Sequence, residues 1–296
     1  MRWFHEGVDR LHVALLKHIV PAVFRHGVES PSLTEHLAAV RLTLPPLRPS
    51  AGHYTLTADT LAGPLQSGFQ VHPGPQPGLP VLVFHHGIGE IPYDKTFRGI
   101  CRGALRQRAH LVAVRAPFHR HWLELLTGLD SMQHFLALCA VALQVGEAVR
   151  SALLASGAHG SLVVGNSLGG FLSLIHHLHI GTAEAYLPLF AGPDLAHVIL
   201  FGHLRRLIAP AALAQPQAIQ AALDFRAALH ASDTRRLAPL LARYDQDMLY
   251  AYHAACYAAC HVPIVTLTRG HLTGALAFTA LRAHILTCLQ QVIPTT

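Results

Sequence analysis

A chain of 296 residues that is 51% hydrophobic and only 13% charged can bury a large core, which excludes a disordered protein. Its formal charge of +6 comes mainly from scattered arginines, with no basic block interleaved with aromatics, so nucleic acid is not an expected partner. The five cysteines are odd in number and irregularly spaced, at positions 101, 139, 256, 260 and 288, which argues against a disulfide framework and fits a cytoplasmic setting.

Phe4, Val8, Leu11, Leu15, Ile19 and Val23 recur at three- and four-residue steps and predict an amphipathic helix over 4–26, kinked at Pro21. Docking of its apolar stripe on the main domain is the expectation, with a membrane-surface helix as the alternative. Glu6, Asp9, Arg10 and Lys17 interrupt any signal-peptide core. Residues 43–52, rich in Pro and Ser, read as a linker. Residues 1–50 are therefore expected to form a helical extension and linker, and 51–296 one larger domain.

From residue 53 the pattern alternates between strands and helices. His53–Asp59 and Gln66–His72 read as early strands, and the wholly apolar run Val81–Phe84 as a strand buried on both faces. A helix is expected over 94–107, then a strand at Leu111–Val114. A helix at 130–155 carries Gln144, Glu147 and Arg150. No apolar run reaches the roughly 18–20 uncharged residues of a membrane span, so stable membrane insertion is not expected. A strand at Ser161–Val164, a helix at 168–179, a strand near Tyr186–Phe190 and helical sequence over 195–235 follow. The last strand is placed at Pro263–Thr268, with a helix at 274–290. Alternation of this kind predicts an α/β fold with a mostly parallel sheet and helices on both faces.

The segment Ser161–Gly170 contains Gly-x-Ser-x-Gly at Gly165, Asn166, Ser167, Leu168 and Gly169. An apolar strand runs into it and a helix starts after it. Chemistry at a serine needs this context: the tight turn pushes the hydroxyl clear of the sheet, and small flanking residues relieve the crowding. The helix start aims its positive end at a developing oxyanion.

On these residues the chain resembles the α/β-hydrolase superfamily, from about residue 55 onward. The resemblance implies a serine hydrolase with Ser167 as nucleophile. It implies that the strand ending in His86-Gly87 supplies an oxyanion donor, the N–H of Ile88 or else of Gly87, with the N–H of Leu168 as its partner. The order nucleophile, acid, histidine points to His271, which follows the last strand in Gly270-His271. The acid stays open. Asp245 is preferred, with Asp247 and Asp194 as alternatives, because Leu237, Leu240, Leu241 and Tyr244 sit at helical as well as strand spacing.

Residues 194–239 are expected to form a small helical cap over the site, rich enough in apolar residues to favour an apolar substrate. His85 and His86 are expected to brace the oxyanion loop, and His86, Gly87, Asn166 and His119, with His121, are candidates to border the pocket. His176, His177 and His179 read as a solvated helix end. His253, Cys256, Cys260 and His261 match no zinc spacing, so neither a metal nor an organic cofactor is expected. The expected reaction is cleavage of a small-molecule carboxylic ester or amide through an acyl-enzyme. Acyl transfer at the same residues, and a non-catalytic binding protein on the same fold, are the alternatives.

Overall fold

The computed structural model describes residues 2–47 and 50–292; Arg48 and Pro49 of the expected linker lie outside the described residues. Among the described residues nine strands form one sheet: β1 (Arg41–Leu42), β2 (Gly52–Asp59), β3 (Leu65–His72), β4 (Val81–His85), β5 (His110–Arg115), β6 (Ser161–Asn166), β7 (Ala185–Leu189), β8 (Leu240–Ala242) and β9 (Val265–Leu267). Their order across the sheet is β1-β2-β3-β5-β4-β6-β7-β8-β9. β1, β2, β3 and β5 pair antiparallel, and every pair from β5 through β4 to β9 is parallel. The mostly parallel α/β architecture expected from the alternation is the one observed.

The central strands are buried throughout because both faces are covered, as their unbroken apolar runs require. Alternate residues feed two cores. Val83, Val112 and Val163 pack with the long helix Met132–Ala155 on one face. Leu82, Phe84, Leu111 and Val164 pack with Leu281 and Ile285 of the C-terminal helix Phe278–Val292 on the other. Among the described residues Met132–Ala155 is the one helix long and apolar enough to cross a membrane, and it is mostly buried inside the protein.

Several elements differ from the sequence reading. The N-terminal helix runs Arg2–Ile19 and stops before Pro21, rather than continuing through a kink. Its apolar stripe does not dock inward: Phe4, Leu11, Leu15 and Ile19 are exposed, while His5, Asp9 and Val13 are buried. The expected helix 94–107 is two short ones, Lys95–Ile100 and Ala104–Arg108, separated at Gly103, whose φ is +58°. Helices Leu33–Ala39 and Trp122–Gly128 were not foreseen; the first opens on a capping box from Ser32 and Glu35. The C-terminal helix is split, His271–Ala275 preceding Phe278–Val292. Phe24, Val28, Leu33, Leu37 and Val40 belong to the same buried cluster as the long helix, so this part of the N-terminal region packs into the main core.

Candidate active site

The sheet register collects the site. His85 pairs with Gly165, Asn166 with Leu189, and Leu189 with Leu240, so the carboxyl ends of β4, β6, β7 and β8 lie side by side. The segments leaving β4, β6, β8 and β9 each bring one part of the constellation.

Ser167 sits between β6 and the helix Leu168–His179 with φ +56° and ψ −115°, a conformation that is costly for a residue with a Cβ. The turn closes only because its neighbours are glycines. A Cβ on Gly165 would lie 1.9 Å from the Gly169 carbonyl oxygen, and one on Gly169 would lie 1.9 Å from that of His85. The Ser167 hydroxyl is 2.8 Å from His271 Nε2, and His271 Nδ1 is 2.7 Å from Asp245 Oδ2. The other Asp245 oxygen accepts the N–H groups of Asp247 at 2.9 Å and Met248 at 2.7 Å, so the carboxylate is fixed by its own loop.

The other two candidate acids lie elsewhere. Asp247 is buried beside Asp245 with an unpartnered Oδ1, and burial pushes it up to about 7. Asp194 caps the helix Leu195–Phe201 through His197 N–H, accepts the Tyr252 hydroxyl, and lies 3.3 Å from Arg226. Asp245 is therefore the candidate that meets His271. β8 is only three residues long, which is why its sequence could also be read as helix.

Burial lowers the pKa of His271, but Asp245, aided by Asp247 and Asp9, outweighs it and pushes it up to about 9. Asp9 belongs to the N-terminal helix and was missed by the sequence reading. Its carboxylate accepts the backbone N–H groups of His271 at 2.8 Å, Leu272 at 3.1 Å and Gln246 at 3.3 Å. His5, one turn earlier, lies 2.9 Å from the Thr273 hydroxyl. No local pattern near residue 9 signals contacts with residues so distant in sequence.

The loop after β4 is held by a second carboxylate that sequence reasoning missed. Glu90 accepts Gly87 N–H at 2.9 Å and Asn166 Nδ2 at 3.1 Å through one oxygen, and Thr96 N–H and hydroxyl at 3.0 and 2.6 Å through the other. Gly87 N–H is thus committed to Glu90, which leaves Ile88 as the loop's candidate oxyanion donor, with Leu168 at the first turn of its helix as the other candidate. A Cβ on Gly87 would lie 3.2 Å from Glu90 Oε1 and in ordinary contact with the Asn166 carbonyl and Ser167, so the loop packs against the strand-to-helix turn.

His86 accepts Ala116 N–H at Nε2 and contacts the Gly87 carbonyl through Nδ1, an arrangement that suits a neutral ring; burial lowers it to about 4. His119 packs against it with the two rings tilted, and contacts the Ile88 carbonyl at 2.9 Å; burial lowers it to about 3. Both rings brace the loop, and His119 is buried rather than open to a pocket. His121 caps the helix Trp122–Gly128. His85 points away, against Gly146 of the long helix. His176 differs from the solvated helix end that was expected, being buried 3.3 Å from Glu147. Among the described residues no group of three or more His, Cys, Asp or Glu side chains is arranged to hold a metal ion.

No protein-family model and no curated protein matches the chain. Solved structures do resemble it. An acetyl xylan esterase from Paenibacillus sp. R4 superposes with a TM-score of 0.59 at 14% identity, over 97% of this chain and 94% of that one. An S-formylglutathione hydrolase from Agrobacterium tumefaciens superposes with a TM-score of 0.58 at 11% identity, over 86% of this chain and 100% of that one. The Pyrococcus horikoshii acylaminoacyl peptidase gives a TM-score of 0.59 at 12% identity over 87% of this chain; the match spans only 43% of the peptidase.

Proposed function

Given the α/β-hydrolase fold that this chain shares with those structures, we propose that it is a serine hydrolase that cleaves a carboxylic ester or amide through an acyl-enzyme. The observation that carries this reading is the unbroken chain Ser167–His271–Asp245 at a strand-to-helix elbow, with contacts of 2.8 and 2.7 Å. In the reactive state neutral His271 donates its Nδ1 proton to Asp245 and accepts the Ser167 hydroxyl proton at Nε2. As Ser167 Oγ attacks the carbonyl carbon, that proton passes to His271, and Asp245 stabilises the imidazolium and fixes its orientation.

The N–H groups of Ile88 and Leu168 receive the negative charge that develops on the carbonyl oxygen. Glu90 and His119 support this by holding the loop that carries Ile88. His271 then returns the proton to the leaving group, and water repeats the sequence in reverse to release the acid. Residues 194–239 serve as a helical cap. Phe225 from this segment packs on Phe171 of the elbow helix, and Ile208 bridges to Val23. Its short helices are apolar, which suits an apolar acyl or alkyl group.

Reaction with p-nitrophenyl esters of increasing acyl length tests the reading. The expected result is a burst of p-nitrophenolate, an acyl mass adduct on the peptide containing Ser167, and free acid as the product. No turnover across the series would count against hydrolysis, and acyl product appearing only on an added alcohol or amine would indicate transfer instead.

A further inference from the structure

The N-terminal helix Arg2–Ile19 is turned opposite to the usual sense. Its inner face is formed by His5, Asp9 and Val13 at four-residue steps, all buried, and two of these three are polar. Its outer face carries Phe4, Leu11 and Leu15, with Gly7, Ala14 and His18 filling the same stripe and Trp3 and Ile19 at its ends. Trp3, Phe4, Leu11, Leu15 and Ile19 are between 51% and 77% exposed. An apolar stripe of this length facing water, interrupted only at His18, marks an interaction surface, since scattered single residues would need no explanation.

The surroundings of the stripe are basic. Arg2, Arg10 and Lys17 lie on the same helix, and Arg205 and Arg206 lie on the 3-10 turn His203–Leu207 that packs along it; all five are exposed. Against them stands Glu6, paired with Arg2 at 2.6 Å and with Arg10 at 3.7 Å, since Asp9 is buried; Lys17, Arg205 and Arg206 lie outside that pairing. Phe201, 64% exposed, precedes that turn.

We propose that this face binds an anionic lipid surface, with the helix lying in the interface and not crossing it. An apolar stripe with an aromatic residue at its end and cationic residues alongside suits the boundary between acyl chains and anionic headgroups. A second copy of the chain fits less well. An antiparallel two-fold pairing of apolar faces would set each basic flank against its equal, and like charges there would oppose association. The opposite face of this helix holds Asp9 against the backbone of His271 and Leu272, so a docked helix would place the site beside the lipid surface.

The test uses the full chain carrying Trp122→Phe, which leaves Trp3 as its sole tryptophan. On addition of phosphatidylcholine vesicles containing phosphatidylglycerol, Trp3 emission should shift to the blue and the protein should sediment with the vesicles. Binding should be weaker to phosphatidylcholine alone and at high salt. Replacing Arg10 and Lys17 with Gln should weaken it about tenfold or more, at about 1 kcal/mol per cation near an anionic surface. Leu11→Glu with Leu15→Glu should abolish it while keeping the melting temperature, because both side chains are exposed. Ser167→Ala should bind as the wild type does, so the result stands apart from the catalytic reading. Absence of binding to anionic vesicles, or binding indifferent to Leu11 and Leu15, would overturn the proposal. So would a concentration-dependent dimer in light scattering that the double glutamate variant abolishes.

Discussion

The carboxylate of Asp9 accepts the backbone N–H of His271 at 2.8 Å, although 262 positions of sequence separate the two residues. The N-terminal helix thereby holds the loop that carries the histidine. Asp9→Ala leaves three N–H groups, those of His271, Leu272 and Gln246, without this acceptor. Stability should fall by about 1–3 kcal/mol, and turnover should fall more than KM rises, because the imidazole loses its fixed aim. Asp9→Asn retains one acceptor oxygen and should lose less of both. Thermal melts and steady-state kinetics on the three proteins check this; an Asp9→Ala protein as stable and active as the wild type would contradict it.

Three aspartates separate by role. Asp245→Asn should lower the rate by about 10⁴ with the fold intact, since the amide favours the wrong histidine tautomer. Asp194→Asn should alter the cap of the helix Leu195–Phe201 and leave the chemical step nearly unchanged. Asp247→Asn should keep most of its activity. Rates for all three on one ester decide the assignment, and a comparable collapse in Asp194→Asn would place the acid after β7.

The pH dependence follows from the carboxylates around His271. Its folded-state pKa is pushed up to about 9 against an ordinary value of 6.5. The base acts as neutral imidazole, so kcat/KM for an uncharged ester should rise with pH through a midpoint near pH 9 and level off only above it. Asp247→Asn removes one of the charges that raise it, and the midpoint should move down. The stability effect has the opposite sense. Because the folded pKa lies above the unfolded one, the contribution is fully present below about pH 6.5 and is lost as pH rises through about 9. Kinetic profiles and melts across this range measure both.

Glu90 offers a test of the oxyanion loop that leaves the three reacting residues untouched. Each of its oxygens accepts two hydrogen bonds, so Glu90→Gln must turn its NH₂ group toward donors at one end or the other. A cost of about 2 kcal/mol in stability is expected, with a lower kcat and little change in KM. An unchanged kcat would mean that Ile88 keeps its place without the Glu90 clamp.

The parts of the site that local sequence encodes were legible, and the parts that depend on distant packing were not. The elbow could be read because Gly165 and Gly169 flank Ser167 between an apolar strand and a helix, a pattern set within ten residues. His271 was found by its place after the last strand. Asp245 stayed ambiguous because β8 contributes only Leu240–Ala242 and the leucines around it repeat at helical spacing as well. Asp9 carries no local signal at all. The periodicity of the N-terminal helix marked two faces and led to the expectation that the apolar one turns inward; in the structure the face with His5 and Asp9 does, making polar contacts to the histidine loop.

The central claim rests on Ser167 being an activated nucleophile. Labelling with a fluorophosphonate probe, followed by peptide mapping, measures this without knowledge of the substrate. The wild type should carry one label, on Ser167, and Ser167→Ala should carry none while melting as the wild type does. His271→Ala should label far more slowly, since the two residues act as one unit. A wild type that resists the probe, or a label that persists in Ser167→Ala or maps to another residue, would contradict the account.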